Sequence, residues 1–385
     1  MTNKLRFLVI ALYCALFFTS CKKDDPTPSE SEKWSIETID NTGSPTSMNK
    51  IVTDLSSGNH VAYVDENSIS TNKIKYAYKA LNGVWQTEFV DNDGNCSNWV
   101  DITIDTIANK IFIVYVKTGQ PTVGEYLMLA EKNIGSTVWT KTAIQNQLNN
   151  SSKPRITIDK NQGLHVCYAR GGYGYQYYAY RPLNGAFTVS LITQEGDANS
   201  AIAVDNGLNI HIAYYKSNSV RYATKTINAT DWTISDIKTN IDYGSSTTTS
   251  IQISLNPQSE PNVLFINNSG GKGDCIGLAT KISSWTSTIF SNIEKANVFS
   301  VSMFFVNNRQ YITYKDDIGL SGQHFDLRIT YNISGTWKTQ FVDGNSDNRC
   351  GGYNSVYVEK SGKINISYTA DTEKVLKYAY KQKIE

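Results

Sequence analysis

Two long polar stretches carry side chains that the rest of the chain lacks: DNDGNCSNWVD, residues 91–101, and DGNSDNRCGGYNS, residues 343–355. The first holds Trp99 and Asp101, and the second holds Arg349, Tyr353 and Asn354. Two cations, Lys50 and Arg155, fall at comparable points of neighbouring segments. An aromatic face that stacks on a sugar ring, with carboxylate, amide and guanidinium groups that bond its hydroxyls, is the chemistry of saccharide recognition. The competing reading is structural: Trp99 plugs a channel and the stretches are merely long. DNDGN also resembles a fragment of a calcium loop, but the further oxygen ligands and distant bidentate Glu of a full loop are not found.

Acid–base chemistry has fewer candidates. His60, His165 and His211 occupy one position of a repeat that elsewhere holds Phe112, Asn262, Tyr311 or Asn365, so backbone geometry places them. A catalytic or metal cluster would need them to converge. His324, in SGQHFDLR, does not repeat, and nothing near it in sequence supplies the partner a general base requires. Asp54, Asp105, Asp159, Asp205 and Glu359 each precede a turn, where a carboxylate accepts turn amides. No catalytic residue, metal or cofactor is implied.

The elements that position these residues follow from the period of the chain. Trp85, Trp139, Phe187, Trp232, Trp285 and Trp337 recur about fifty residues apart, most of them behind Gly, Ser, Thr or Asn as in NGVW and SGTW. A second marker recurs independently at Tyr63, Tyr115, Tyr168, Tyr214, Phe265, Tyr314 and Tyr368. Between them lie short runs of period two, such as IKYAYK and LKYAYK, separated by Gly, Ser and Asn, which predict antiparallel strands and no helix. Seven units result, with inner strands near 50–54, 101–105, 155–159, 201–205, 250–254, 300–304 and 355–359. The seventh unit stops after its third strand, and WSIETID, residues 34–40, is a fourth strand with nothing before it. A seven-bladed all-β propeller of four-stranded antiparallel blades, closed by that N-terminal strand, accounts for both ends. Lys50, Trp99, Asp101, Arg155, Arg349, Tyr353 and Asn354 are then expected around the mouth of its central funnel.

Units that read Asp, a short gap, Gly, Asn or Leu, His, Val or Ile and then Tyr, followed by KYAY and G-x-W, resemble the BNR-like repeats of bacterial secreted propellers, relatives of the sialidase superfamily. The resemblance spans residues 34–385 and implies the fold, while its members include glycosidases, lyases, lectins and scaffolds. A sialidase would need three convergent arginines and a Tyr–Glu nucleophile. Of Arg155, Arg170, Arg181, Arg221, Arg309, Arg328 and Arg349, only Arg155 directly precedes an inner strand, and the strict S-x-D-x-G-x-x-W box is absent. The expectation is a non-catalytic propeller that binds a glycan or a protein, with a polysaccharide hydrolase or lyase, or a scaffold of an outer-membrane assembly, as alternatives.

The N-terminus gives an address. Lys4 and Arg6 precede an apolar run from Phe7 to Phe18, too short to span about 30 Å of hydrocarbon, and FTSC resembles a lipoprotein lipobox. Residues 1–20 are expected to be a signal peptide, Cys21 the lipidated residue, 21–33 a flexible tether and 34–385 the propeller. The lysine and acidic residues after Cys21 resemble a surface-export signal. The chain would thus be held at the outer membrane, exposed at the cell surface, with its lipid as the sole membrane contact. A net charge of +1 without clustered Lys and Arg argues against nucleic acid as a partner. Cys96 and Cys350 occupy equivalent stretches, so a disulfide between them is conceivable.

Overall fold

The structure, a computed structural model, describes residues 33–66, 71–119, 124–146, 148, 152–170, 174–197, 199–241, 251–267, 275–290, 300–317, 325–345 and 348–384. Cys21, the signal and tether before Lys33, and His324 lie outside them. The described residues form seven four-stranded antiparallel sheets and contain no helix. Six sheets are sequential. The seventh joins Cys350–Val358, Ile364–Ala370 and Val375–Lys381 to Ser35–Asp40, which lies antiparallel to the third of these with Ser35 opposite Tyr380. The ring is closed as the orphan strand at residues 34–40 predicts.

Blades are numbered here from the sheet that begins at Asn49, so the seventh contains both ends of the ring. Both sequence markers work between blades. The tyrosine of the second strand reaches the carboxylate that ends the preceding blade's outer strand: Tyr63 donates to Asp40 at 2.6 Å, Tyr115 to Asp91 at 2.8 Å and Tyr368 to Asp343 at 2.6 Å. A lysine joins each pair, Lys75, Lys117 and Lys377 respectively. The tryptophan stands edge-on against the preceding blade's third-strand tyrosine. Tyr76 and Trp139 have centroids 5.4 Å apart at 75°, and Tyr178–Trp232, Tyr222–Trp285 and, across the closure, Tyr378–Trp85 repeat the arrangement. Each such pair contributes about 0.5–1.5 kcal/mol beyond its burial. The indoles of Trp85 and Trp139 also donate to Glu37 and Glu88 of the preceding blades.

The recurring histidines are fixed within their blades. His60 Nδ1 is 2.6 Å from the Tyr76 hydroxyl and its Nε2 3.1 Å from Asp54; His165 makes the same contacts with Tyr178 and Asp159 at 2.7 and 2.8 Å. His211 sits 2.6 Å from Tyr222 and 3.5 Å from Asp205. The same acids hold the inner turns, as Asp54 accepts the amides of Ser56 and Gly58, and Asp159 those of Asn161 and Gly163. Burial keeps the His165 and His211 imidazoles below the usual histidine value of 6.5, despite the adjacent carboxylates. The unfolded chain therefore takes up more protons than the folded one as pH falls below about 6.5, and stability declines until the pH passes the folded values. In blade 7 an asparagine does the same work, Asn365 accepting from Tyr378 at 2.6 Å and donating to Glu359 at 3.1 Å. Urea titrations of the His165→Asn/His211→Asn variant should accordingly show a flatter dependence of stability on pH below 6.5 than the parent; an unchanged slope would assign the acid sensitivity elsewhere.

One expectation is corrected, that the inner strands of blades 2 and 7 begin near 101 and 355. The stretches at 91–101 and 343–355 are not simply loops, because the inner strands of blades 2 and 7 begin early, at Cys96 and Cys350, and run through bulges: register shifts fall between Cys96 and Val100 and between Cys350 and Ser355. Extra residues in a bulge re-aim side chains without ending the pairing. Cys96 and Cys350 are free and buried, on strands separated by the whole of blade 1; Cys350 lies 3.4 Å from Asp343.

Candidate functional site

Register places one residue of each inner strand at a common level around the axis, opposite the residue before the tyrosine marker. Lys50 pairs with Ala62, Asp101 with Val114, Arg155 with Cys167, Ala201 with Ala213, Gln252 with Leu264, Ser302 with Thr313 and Ser355 with Ser367. Three of these side chains stitch neighbouring inner strands. Ser302 accepts the Val356 amide at 3.1 Å, Ser355 the Ile51 amide at 3.2 Å, and Asp101 the Ile156 amide at 3.0 Å. The other oxygen of Asp101 takes the Ile102 amide. Lys50 and Arg155, on either side of Asp101, make no such bond.

Five of the seven, Lys50, Asp101, Arg155, Ala201 and Gln252, line a cavity of about 310 Å³ on the axis, with Lys50, Asp101 and Arg155 along one side, Gln252 across from them and Val204, Leu255 and Phe304 also in the lining. Arg155 is 5% exposed, its Nε has no partner, and neither it nor Lys50 is ion-paired among the described residues. Burial lowers the Lys50 ammonium below the usual lysine value, with Asp101 opposing and Arg155 reinforcing the shift; burial likewise lowers Arg155, against the pull of Asp101. Two cations thus face a small cavity with one carboxylate between them, and that carboxylate is engaged by backbone amides.

Trp99 does not line the cavity. At 3% exposed, it is packed into the bulge of blade 2 with the Arg155 guanidinium 4.8 Å and the Lys153 ammonium 5.1 Å from its ring centroid. Its indole N–H has no partner among the described residues. Cation–π contact of this kind fixes where a guanidinium points. Burial, with Arg155 nearby, pushes Lys153 down to about 8 although Asp197 pulls the other way.

The blade 7 residues stand apart from the cavity. Asn354 donates to the carbonyls of Ser300 and Gly351 and accepts from Thr313, latching blade 7 to blade 6. Tyr353, at φ 41°, accepts from Asn49 through its carbonyl and packs against the apolar cluster shared by blades 1 and 2. Arg349 is exposed and lies 5.6 Å over Phe325. Of seven sequence candidates, the structure brings Lys50, Asp101 and Arg155 together, sets Trp99 behind Arg155, and keeps Arg349, Tyr353 and Asn354 away. Gln252 and Lys153 were missed. Sequence spacing puts Ser250 at the repeat position of Lys50 and Arg155, and the strand register moves that position to Gln252, while nothing in the sequence places Lys153 on Trp99. The acids of DNDGN meet lysines, since Lys117 binds both Asp91 and Asp93 and Lys141 lies near them.

Neither a protein-family model nor a curated protein matches the sequence. Solved structures do resemble it. The NanB sialidase of Streptococcus pneumoniae superposes with a TM-score of 0.52 at 11% identity, over 92% of this chain and 71% of that one. A protein of unknown function from Dyadobacter fermentans gives 0.52 at 9% identity over 90% and 97%. AofleA from Arthrobotrys oligospora gives 0.52 at 13% over 80% and 90%. At these identities the likeness is one of fold. The arginines of the third strands are spent on structure, Arg181 pairing with Glu131, Arg221 with Glu195 and Asp236, and Arg328 with Asp316. Among the described residues Arg155 is the one arginine on the cavity.

Proposed function

We propose that the chain is a lipid-anchored propeller of the bacterial outer membrane, exposed at the cell surface, that binds an acidic glycan in its axial cavity without catalysis. Residues 1–20 are its signal peptide, Cys21 its lipidated residue, 21–33 its tether and 34–385 its binding body. The observation that carries the reading is the pair of cations facing the cavity, the half-buried Lys50 and the buried Arg155, neither of them ion-paired among the described residues. An unpaired buried charge costs several kcal/mol, and a ligand anion removes that cost. A volume near 310 Å³ suits a terminal sugar. A hydrolase or lyase would need a group free to move a proton, and Asp101 is held by two amides. That a sialidase shares the fold makes a saccharide a reasonable ligand class, though the fold alone does not choose it.

The test is calorimetric titration with matched saccharides that carry a carboxylate, a sulfate or neither. Acidic ligands should bind and neutral ones bind at least about tenfold more weakly, with Lys50→Gln removing most of that preference. Equal binding of neutral and acidic ligands, or of parent and Lys50→Gln, would refute the reading.

A further inference from the structure

The face opposite the cations is unusual in another way. Strands alternate in direction within each blade, so the turns from first to second strand and from third to fourth all lie on one face of the ring. On that face Leu55, Leu81 and Val84 of blade 1, Ile107 and Val138 of blade 2, Leu183 of blade 3 and Ile282 of blade 5 are exposed, Leu55 at 81% and Val84 at 78%. Every exposed large apolar side chain at a turn among the described residues is here, the others being on outer strands. Such turns are normally polar, and here the exposed apolar turn residues share one face and concentrate on the adjacent blades 1 and 2.

Two observations indicate what that is. Around four consecutive blades, the first turn presents exposed Lys360 in blade 7, Leu55 in blade 1, Ile107 in blade 2 and Lys160 in blade 3. Apolar tips flanked by lysines suit the boundary between acyl chains and anionic headgroups, where the tips enter and the ammonium groups stay in the polar layer. Secondly, the chain joins the propeller at Trp34 on this same face, because Ser35–Asp40 is an outer strand and starts at the turn end of blade 7. It does so beside blade 1, where the apolar tips are densest, and Lys79 of that blade pairs with Glu37. We infer that this turn face, centred on blades 1 and 2, rests on an anionic lipid bilayer and so directs the cavity mouth away from the membrane. The inference rests on the reading of Cys21 as a lipid anchor for its biological setting, but the face can be tested without the anchor.

Two measurements separate the two ideas. Mass spectrometry of the membrane-extracted protein reports acylation of Cys21 directly. The full chain carrying Cys21→Ser is then sedimented with vesicles of phosphatidylethanolamine and phosphatidylglycerol. It should bind them, with affinity falling when phosphatidylglycerol is omitted, and the additional changes Leu55→Ser, Val84→Ser and Ile107→Ser should weaken binding at least about tenfold while thermal unfolding and saccharide binding stay unchanged. In the acylated protein reconstituted in the same vesicles, a bimane at Val84→Cys should be quenched by brominated lipid and one at Asn92→Cys, on the opposite face, should not. No vesicle binding by the Cys21→Ser chain, or equal quenching at both positions, overturns the docking face even if Cys21 is acylated. Vesicle binding without acylation would retain the face and refute the anchor.

Discussion

Asp40→Ala is expected to cost about 3 kcal/mol of stability, although Asp40 lies only seven residues into the described chain and far from the cavity. Asp40 is 5% exposed and ends the strand that closes the ring, where it accepts from Tyr63 at 2.6 Å, from Thr42 and from Lys75. Lys75 is itself 4% exposed, so removing the carboxylate strands an ammonium in the core. Breaking a buried pair costs about 3–5 kcal/mol; Asp65, 4.0 Å from the same ammonium, holds the loss to the lower end. Tyr63→Phe, which removes one donor to a charged acceptor, should cost about 1.5–3 kcal/mol. Burial alone would raise the Asp40 pKa, but the bonds from Lys75, Thr42 and Tyr63 outweigh it and hold the carboxyl below its ordinary 3.8. Its contribution is therefore fully present above that value and is lost as pH falls through the lower folded one. Urea denaturation of parent and variant should show the gap at neutral pH and its narrowing only below about pH 4. A difference under 1 kcal/mol at neutral pH would mean the closure is held by its backbone ladder and apolar contacts alone.

The same residue shows what the sequence could reveal. Blade number and closure are legible because the markers answer to a repeated physical need: Tyr63, Tyr115 and Tyr368 each meet an aspartate of the preceding blade, and Trp85 and Trp139 each meet a glutamate there. A contact made in several blades leaves a period in the chain. The site is legible only in part, for the converse reason. Lys50, Asp101 and Arg155 could be picked out because they break one repeat position, and register puts them on one cavity. Trp99, Tyr353 and Asn354 also break the repeat, but each lies in a strand bulge, where an inserted residue turns toward a neighbouring blade. Sequence spacing does not tell a bulge from a loop, since both appear as extra polar residues before a strand. Lys153 illustrates the remaining limit, because its place over Trp99 depends on how two adjacent blades pack.

Arg155→Met is the decisive substitution for the cavity, because it sets stability and binding against each other. A side chain of similar length keeps the packing on Trp99, where the guanidinium now lies 4.8 Å from the ring, while the unpaired charge disappears. Replacing buried charge by apolar volume is often neutral or stabilising by about 1–4 kcal/mol, and with no ion pair to lose the gain should be seen here. A residue kept only for the fold would behave oppositely, and its loss would destabilise the blade. Denaturant titration should thus find the variant at least as stable as the parent, while affinity for an acidic saccharide falls by about a hundredfold, as expected when a charged hydrogen-bonding partner worth roughly 3 kcal/mol is removed. The parent should close the stability gap when the saccharide is added, since a ligand bound only by the folded state stabilises it by mass action. If Arg155→Met instead loses stability and saccharide changes neither protein, Arg155 is part of the ring's structure, and the cavity does not bind acidic sugars. The Trp99→Phe variant locates the cause. Phenylalanine keeps the bulge filled but offers the guanidinium a smaller face, so affinity should fall less than in Arg155→Met, with stability nearly unchanged. That ordering follows only if Trp99 acts through Arg155, as its position behind the cavity wall requires.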